Sequence, residues 1–318
     1  MLHWRSKNSA ASSRTEAVLN TKREKWLHAF GNPCHLVMSD RSANGEQLEQ
    51  LAQEELSRLE AKFGSHYPES IISAINMAAG TGAYTELDAE GRSLFDYVST
   101  LWEQSNHLFD PSTRVLRECY NAAGQLRATQ QQLQGMLKLV GWSALEIGER
   151  GVRLPTRGMV INLDNCVRPY AVDSVLKLLR REGVEHALIE MDRESASIGK
   201  QPDGANWLVG FRHPKGPRTA IARLKLNNKG FAMRGNFEHR IQVGGENYGR
   251  ALSPVDGQPL PGLLSVAVVA DNCLTACSAA SIARLKTEQA GINWLDTLGL
   301  PWLAIDRELN CIGPLSPH

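Results

Sequence analysis

A helical pattern that runs directly into a strand restricts the fold more than any other feature of the sequence. Between residues 170 and 183, apolar residues recur at the three- and four-residue spacing of one helix face, and the segment ALIEM at 187–191 follows with the composition of a buried strand. A helix and a strand that are adjacent in the chain pack as neighbouring layers. The sequence therefore predicts an α+β fold with mixed α and β layers.

Strand and helix patterns continue on both sides of this segment. In the first half, CHLVM at 34–38 predicts a strand, and apolar residues at helical spacing predict a helix over 46–63 and another that carries Leu94 to Trp102. The second half is richer in strands. Its patterns predict strands at 207–211, 220–226 and 231–235, a hairpin turn at Gly244-Gly245, an apolar run at 263–270 that leads into a helix from Asn272 to about Gln289, and a final hairpin formed by 302–306 and 309–313.

The length and the apolar content are sufficient for one large core. The chain has 318 residues, of which 42% are hydrophobic, and such a chain can form one large domain or two closely joined halves. Residues 1–23 are rich in serine, lysine and arginine and show no periodicity, which predicts a flexible N-terminal arm. No repeat or linker divides the remainder. We therefore expect one domain over residues 24–318.

Charge and cysteine content restrict the partners and the compartment. Lysine plus arginine number 35 and aspartate plus glutamate 34, so no global field favours nucleic acid or an acidic membrane surface. No apolar run approaches the roughly 18 residues of a membrane span, and the N-terminus lacks the apolar core of a secretory signal. Six scattered cysteines without a C-x-x-C pair are typical of reduced thiols. These features predict a soluble cytoplasmic protein that binds neither nucleic acid nor membrane.

A series of short motifs gives the chain a family resemblance. In chain order they are Phe30-Gly31-Asn32, SIISAIN from Ser70 to Asn76, FDPS from Phe109 to Ser112, NLDNCVRPYAVD from Asn162 to Asp173, WLVGFRHP from Trp207 to Pro214, YGRALSPVDG from Tyr248 to Gly257 and DNCLTACSAAS from Asp271 to Ser281. Each motif alone occurs by chance in many proteins. Their order and spacing together resemble those of the FAD:protein FMN transferase (ApbE) family, over nearly the whole chain.

The resemblance implies a fold, a reaction and a set of site residues. It implies an ApbE-like arrangement of mixed α/β layers in one large domain. The implied reaction is magnesium-assisted cleavage of the FAD diphosphate, with transfer of FMN to a threonine or serine of a target protein. FAD or another phosphate-bearing nucleotide, Mg²⁺ and a target protein are thus the implied ligands and partners. The aligned positions are Ser70, Asn76, Asp110, Arg168, Asp173 and Arg234 for cofactor binding, Arg250 and Glu194 for catalysis, and Cys277 and Ser281 for the metal.

The metal and flavin positions depart from the family pattern. In the family a helix supplies an aspartate and, four residues later, a threonine to the metal, a spacing that places both on one helix face. Here these positions hold Cys277 and Ser281, and a cysteine is a soft ligand that suits magnesium poorly. A soft-metal site formed by Cys277 with Cys166 and Cys273 is an alternative to buried packing cysteines. Residues 192–194 (DRE) replace Gly-Gly-Asp, which predicts charged side chains in the space of the flavin.

Three arginines also replace other residues of the pattern, and they allow two interpretations. Arg168 stands in place of lysine, Arg234 in place of serine and Arg250 in place of histidine. In the first interpretation the site is no longer used, and the arginines are solvated or paired with nearby carboxylates. In the second, their guanidinium groups replace the charge of the magnesium ion and hold a diphosphate without metal.

Three functions are compatible with these residues. The chain is an active FAD:protein FMN transferase, a flavin- or nucleotide-binding relative whose catalysis is impaired or lost, or a non-enzymatic interaction protein on the same fold. Since the motifs that form the cleft are retained while the metal position is altered, the sequence predicts the second function.

Overall fold

The largest element of the fold is one antiparallel sheet of eight strands. The computed structural model describes residues 22–39, 44–122, 124–212, 220–235, 241–243 and 246–316. The strands of the sheet, in spatial order, are β1 (Lys22–Ala29), β2 (Asn32–Ser39), β5 (Ala187–Met191), β6 (Glu194–Ile198), β9 (Gly230–Gly235), β12 (Ser265–Ala270), β13 (Trp302–Ile305) and β14 (Cys311–Ile312). Three separate antiparallel pairs are β3 (Glu146–Gly148) with β4 (Gly151–Arg153), β7 (Trp207–Arg212) with β8 (Ala220–Leu226), and β10 (Ile241–Val243) with β11 (Glu246–Tyr248).

The helices pack against the sheet and against one another. They are α1 (Gly45–Phe63), α2 (Ile71–Met77), α3 (Ala89–Gln104), α4 (Gln130–Leu137), α5 (Asp164–Arg181), α6 (Cys273–Leu285) and α7 (Glu288–Leu298), with short 3-10 helices at Pro111–Cys119 and Trp142–Ala144. Within the described residues, no helix combines the length and the apolar character that a membrane span requires. The predicted α+β fold of mixed layers is confirmed.

The composition of β12 explains its place inside the sheet. All six residues of this strand are buried, so that apolar side chains are favoured on both of its faces. Val266 and Val268 pack with the small residues of α6, whereas Ala267 and Val269 pack with the β7 and β8 pair, which contributes Trp207 and other apolar side chains. The sheet therefore lies between a helical layer and a two-stranded layer.

Two boundaries differ from the sequence prediction. The helix predicted from Asn272 to about Gln289 ends at Leu285, because Lys286 adopts an extended backbone, and a separate helix that the sequence did not predict begins at Glu288. The sequence assigns residues 22 and 23 to the arm, whereas they belong to β1, which pairs with β2 through a turn at Phe30-Gly31. Both turn residues have positive φ, 53° and 69°, a conformation that favours glycine in the second position.

The other predicted elements are confirmed. They are the strands at 34–38, 187–191, 207–211, 220–226 and 231–235, the helices over 46–63, around Leu94 to Trp102 and over 170–183, and the final hairpin. β10 and β11 pair on either side of the predicted turn, but Gly244-Gly245 itself lies outside the described residues. Residues 1–21 also lie outside them, so that the arm and the single domain over 24–318 stay predictions.

One buried carboxylate joins the two helices that carry most of the motif residues. Asp173 of α5 accepts hydrogen bonds from the first N–H groups of α6, with Oδ1 2.8 Å from the nitrogen of Cys273 and Oδ2 2.8 Å from that of Leu274. These N–H groups have no partner within their own helix. Burial raises the pKa of Asp173 to about 6, although both hydrogen bonds oppose the rise.

The substitution Asp173→Asn tests this link. An amide has one acceptor oxygen in place of two, so we expect the free energy of unfolding at neutral pH to fall by about 1 to 3 kcal/mol. The raised folded-state pKa means that protonation of Asp173 contributes stability that is complete below the unfolded pKa and is lost as the pH rises through about 6. Urea denaturation at a series of pH values should therefore show that the free energy of unfolding of wild type, relative to that of the variant, increases as the pH falls through 6. A difference that is constant with pH would contradict this assignment.

Candidate functional site

A cavity of about 320 Å³ lies where several of the motifs meet. Its walls come from the start of the first 3-10 helix, the beginning of α5, the turn between β5 and β6, the end of β9, the segment after β11 and the last turns of α6. The residues that line the cavity lie within the ranges 108–117, 162–168, 192–193, 233–235, 250–252 and 281–285.

Arginine dominates the charge of the cavity. Two acidic residues, Asp110 and Asp192, line it, and the arginines that line it are Arg114, Arg117, Arg168, Arg193, Arg234, Arg250 and Arg284. The whole chain has a formal net charge of only +1. Positive charge is therefore concentrated in the cavity, where it favours an anionic ligand.

Glu194, Arg234 and Cys277 form an inner cluster at the base of the cavity. Nη2 of Arg234 donates to Oε1 of Glu194 at 2.5 Å and to Sγ of Cys277 at 2.6 Å, and Nε of Arg234 donates to the same sulfur at 3.0 Å. Nη2 of Arg168 lies 3.6 Å from the same glutamate oxygen. Glu194 is fully buried and Arg234 is 7% exposed, so water screens this ion pair very little.

The fold brings the inner cluster together through adjacent elements. Glu194 begins β6 and Arg234 lies near the end of β9, which is hydrogen-bonded to β6. Cys277 lies on α6, which approaches β9 closely because Gly230 has no side chain. A Cβ atom on this glycine would lie 2.1 Å from the backbone nitrogen of Cys273.

The environment fixes the charges within the inner cluster. Burial disfavours a charged Arg234, but its contacts with Cys277 and Glu194 outweigh this effect and raise its pKa above the ordinary value. Burial raises the pKa of the Cys277 thiol, and the nearby guanidinium only partly opposes the rise. The cluster therefore consists of a carboxylate, a guanidinium and a neutral thiol.

The residues at the aligned metal positions do not fit a magnesium ion. Ser281 lines the cavity and offers a hydroxyl oxygen, but Cys277 offers a neutral sulfur, whereas magnesium prefers hard oxygen ligands. The guanidinium of Arg234 already contacts that sulfur, and it would repel a second cation at the same place. Arg234 thus supplies a positive charge at the position where the family resemblance predicts a metal.

The alternative soft-metal site is not formed either. Among the residues that the structure describes, the only His, Cys, Asp and Glu side chains close enough in a group of three to share an ion are Glu288, Asp306 and Glu308. Cys166 and Cys273 are buried, and Sγ of Cys273 donates to the carbonyl of Phe231 at 3.4 Å. These cysteines are packing residues of the core.

The structure brings together most of the site residues predicted from the sequence. Asp110, Arg168, Arg234, Arg250 and Ser281 line the cavity, and Glu194 and Cys277 contact Arg234 directly. The roles assigned to them, in catalysis or cofactor binding, stay predictions.

Ser70, Asn76 and Asp173 do not line the cavity, and their contacts within the protein are structural. The hydroxyl of Ser70 accepts a hydrogen bond from the N–H of Ser73 at the start of α2. The side-chain amide of Asn76 makes two hydrogen bonds with the backbone of Ile161, in the segment that precedes α5. These residues position the elements that carry the cavity arginines.

Asp110 lines the cavity and also orders its wall. Its Oδ1 accepts from the N–H and the hydroxyl of Ser112, and its Oδ2 accepts from the N–H of Trp142 at 2.8 Å. The carboxylate therefore caps the 3-10 helix that follows and connects it to the next one.

Three arginines of the cavity were not predicted from the sequence. Arg114 and Arg117 are three residues apart on a 3-10 helix, so they project from the same side. Arg284 is three residues after Ser281 on α6 and shares its helix face. This spacing to a motif residue is the sequence signal that could have identified Arg284.

Solved structures show the same fold. The flavin transferase ApbE from Vibrio cholerae superposes with a TM-score of 0.81 at 17% identity, over 93% of this chain and 97% of that one. The ApbE protein from Thermotoga maritima superposes with a TM-score of 0.77 at 23% identity, over 92% of this chain and 97% of that one. The site described above is therefore carried by an ApbE-type fold.

Sequence comparison gives the family. An FAD:protein FMN transferase from Vibrio cholerae is 21% identical over 179 residues, which cover 56% of this chain and 54% of the relative, and one from Klebsiella pneumoniae is 26% identical over 120 residues, which cover 37% and 34%. The chain thus spans about half the length, or less, of these curated relatives. The profile of the ApbE family matches residues 30–303. The chain belongs to the ApbE family, as its motifs predict.

Breaking the inner ion pair tests its place in the fold. The substitution Arg234→Met leaves the carboxylate of Glu194 buried without its strongest partner, and we expect the free energy of unfolding to fall by about 3 to 5 kcal/mol. Lys229→Met is the matched control, because Lys229 pairs with Asp271 in a bridge whose side chains are 45% and 88% exposed, and such pairs contribute roughly 0 to 1 kcal/mol. Guanidinium denaturation of both variants measures the difference. Equal losses of unfolding free energy in the two variants would show that the inner pair stabilises the fold no more than a surface ion pair does.

Proposed function

We propose that this protein binds a flavin or another phosphate-bearing nucleotide through arginine, without a metal ion, and that it does not transfer FMN efficiently. The observation that carries the proposal is the contact of Arg234 with both Glu194 and Cys277. It supports a site whose cation is part of the chain. Membership of the ApbE family supports a flavin nucleotide as the ligand.

Arginine and magnesium differ in what they provide to a diphosphate. A guanidinium group forms paired hydrogen bonds to phosphate oxygens and keeps its charge at every accessible pH. It cannot hold the attacking and leaving oxygens in the fixed coordination geometry of a metal ion. A site in which arginine replaces the metal ion therefore favours binding of the diphosphate over its cleavage. Such a site is consistent with a cysteine, and not a carboxylate, at position 277.

Within the cavity, we assign the binding role to Arg168 and Arg250. Arg168 is half-buried, and its Nε has no hydrogen-bond acceptor among the described residues although it is shielded from water. Arg250 is exposed, also lines the cavity and donates to the carbonyl of Ala122 at 2.7 Å. Arg234 is held by its own partners and acts mainly by its charge. All six cysteines are free thiols, which supports a reducing, cytoplasmic location.

Titration calorimetry in excess EDTA tests binding. We expect FAD and FMN to bind without magnesium, and Arg250→Ala to weaken binding by about 1.5 to 3 kcal/mol, the range for hydrogen bonds to charged groups. Arg181→Ala is the matched control, since Arg181 is exposed in the last turn of α5 and lies outside the cavity. Binding that requires magnesium, or that both variants affect equally, would refute the metal-independent site.

A second experiment tests why transfer is lost. The single variant Cys277→Asp should not gain magnesium binding, because the new carboxylate would pair with Arg234. The double variant Cys277→Asp, Arg234→Ser removes that cation and should bind Mg²⁺ measurably by calorimetry. Transfer of FMN from FAD to a threonine-bearing target protein, followed by in-gel flavin fluorescence, should be undetectable for wild type in magnesium. Robust wild-type transfer that EDTA abolishes would overturn the proposal.

A further inference from the structure

Three arginines of the cavity lack an acceptor. The guanidinium groups of Arg114, Arg117 and Arg284 form no hydrogen bond or ion pair with any residue that the structure describes. They differ in this respect from Arg234, whose guanidinium is paired with Glu194. We call these three residues the outer arginines.

Arg284 is held in place without being neutralised. Its guanidinium packs against two glycines, and a Cβ atom would lie 2.8 Å from Nε if it were added to Gly235 and 3.1 Å from Nη2 if it were added to Gly249. Nε is shielded from water and has no hydrogen-bond partner within the described residues. Burial, together with repulsion from Arg234 and Arg117, lowers the pKa of Arg284 to about 10. In the unliganded protein, the positive charge of Arg284 is therefore destabilised by burial and by its arginine neighbours.

The two remaining outer arginines approach the same space. Arg117 is exposed, but partial desolvation and repulsion from Arg114 and Arg250 lower its pKa, and Asp164 is the acidic group that partly opposes this effect. Arg250 stays in place beside them through its bond to a backbone carbonyl. Repulsion between these like charges in one cavity destabilises the unliganded protein, and a bound anion would remove that repulsion.

The charge of the cavity exceeds what a dinucleotide needs. Seven arginines line it with Asp110 and Asp192, and even when Glu194 and Asp164 are counted against them the positive charges outnumber the negative ones by three. Each phosphate in the diphosphate bridge of FAD carries a single charge. A terminal phosphoryl group carries about 1.5 to 2 negative charges at neutral pH.

We propose that the outer arginines form a second anion subsite, which receives the terminal phosphoryl groups of a triphosphate or longer phosphate chain. The subsite adjoins the nucleotide site proposed above and rests on it only for the assignment of the cavity as a ligand site. The ligand is a nucleoside triphosphate or an inorganic oligophosphate, and the shared feature is the chain of phosphates with a doubly charged end. The inner cluster sets the position of the cavity floor, and the outer arginines select the ligand by its charge.

Calorimetry of the full chain in EDTA with inorganic pyrophosphate, inorganic tripolyphosphate, ATP and FAD tests the subsite. Tripolyphosphate should bind roughly tenfold or more tightly than pyrophosphate, and ATP similarly more tightly than FAD, since each added charged hydrogen bond has an effect of this order. Arg284→Gln and Arg117→Gln should each abolish that preference. Arg181→Gln on the surface of α5 should leave it unchanged.

A second measurement separates binding from a structural role. Because Arg284 is repelled by its neighbours, Arg284→Gln should raise the melting temperature of the unliganded protein while it weakens tripolyphosphate binding. A residue with only a structural role would lower both. Arg117→Gln, on the exposed wall, provides an independent readout if Arg284→Gln fails to fold.

The outcomes distinguish the two proposals. If tripolyphosphate binds no more tightly than pyrophosphate, or if both glutamine variants keep the preference, the subsite is refuted while FAD binding in EDTA still supports the nucleotide site. If tripolyphosphate binds through Arg284 and Arg117 but FAD and FMN do not bind, the subsite stands and the flavin assignment is wrong. A preference of tripolyphosphate over ATP identifies the inorganic chain as the ligand, and the reverse identifies the nucleotide.

Discussion

The ion pair between Arg234 and Glu194 is the interaction on which the architecture of the site depends. It joins two neighbouring strands of the main sheet and, through the sulfur of Cys277, connects them to α6. Removing a charge pair from water is costly, and close contact between the partners offsets part of this cost. Here one oxygen of Glu194 accepts from Arg234, while its other oxygen has no hydrogen bond from the described residues. The pair fixes the floor of the cavity, and the arginines that line the cavity determine its charge.

Much of the fold could be predicted because its signals are local. The alternation between helical spacing and short apolar runs identifies most helices and strands, and the order of the motifs identifies the family. The break at Lys286 was missed because no glycine or proline separates α6 from α7. The entry of residues 22 and 23 into β1 was missed because charged side chains on an edge strand resemble those of an arm.

The site was harder to predict because its chemistry depends on contacts between distant parts of the chain. The motif resemblance predicts that Arg234 and Cys277 belong to one site, but only the structure shows that these two residues touch. Long side chains reach neighbours that sequence spacing does not specify. For the same reason, the sequence does not distinguish an arginine that a carboxylate neutralises from one, such as Arg284, that has no such partner.

The buried pair also has a consequence for how this branch of the family can change. Loss of the arginine alone would leave the buried carboxylate of Glu194 without its partner, and loss of the carboxylate alone would do the same to the guanidinium of Arg234. Each single substitution at this pair therefore gives a less stable protein. A metal ion can be lost and regained with its supply, whereas a cation encoded in the chain persists until two mutations occur together. Selection for a stable fold therefore preserves the two residues as a pair, whatever ligand the cavity takes.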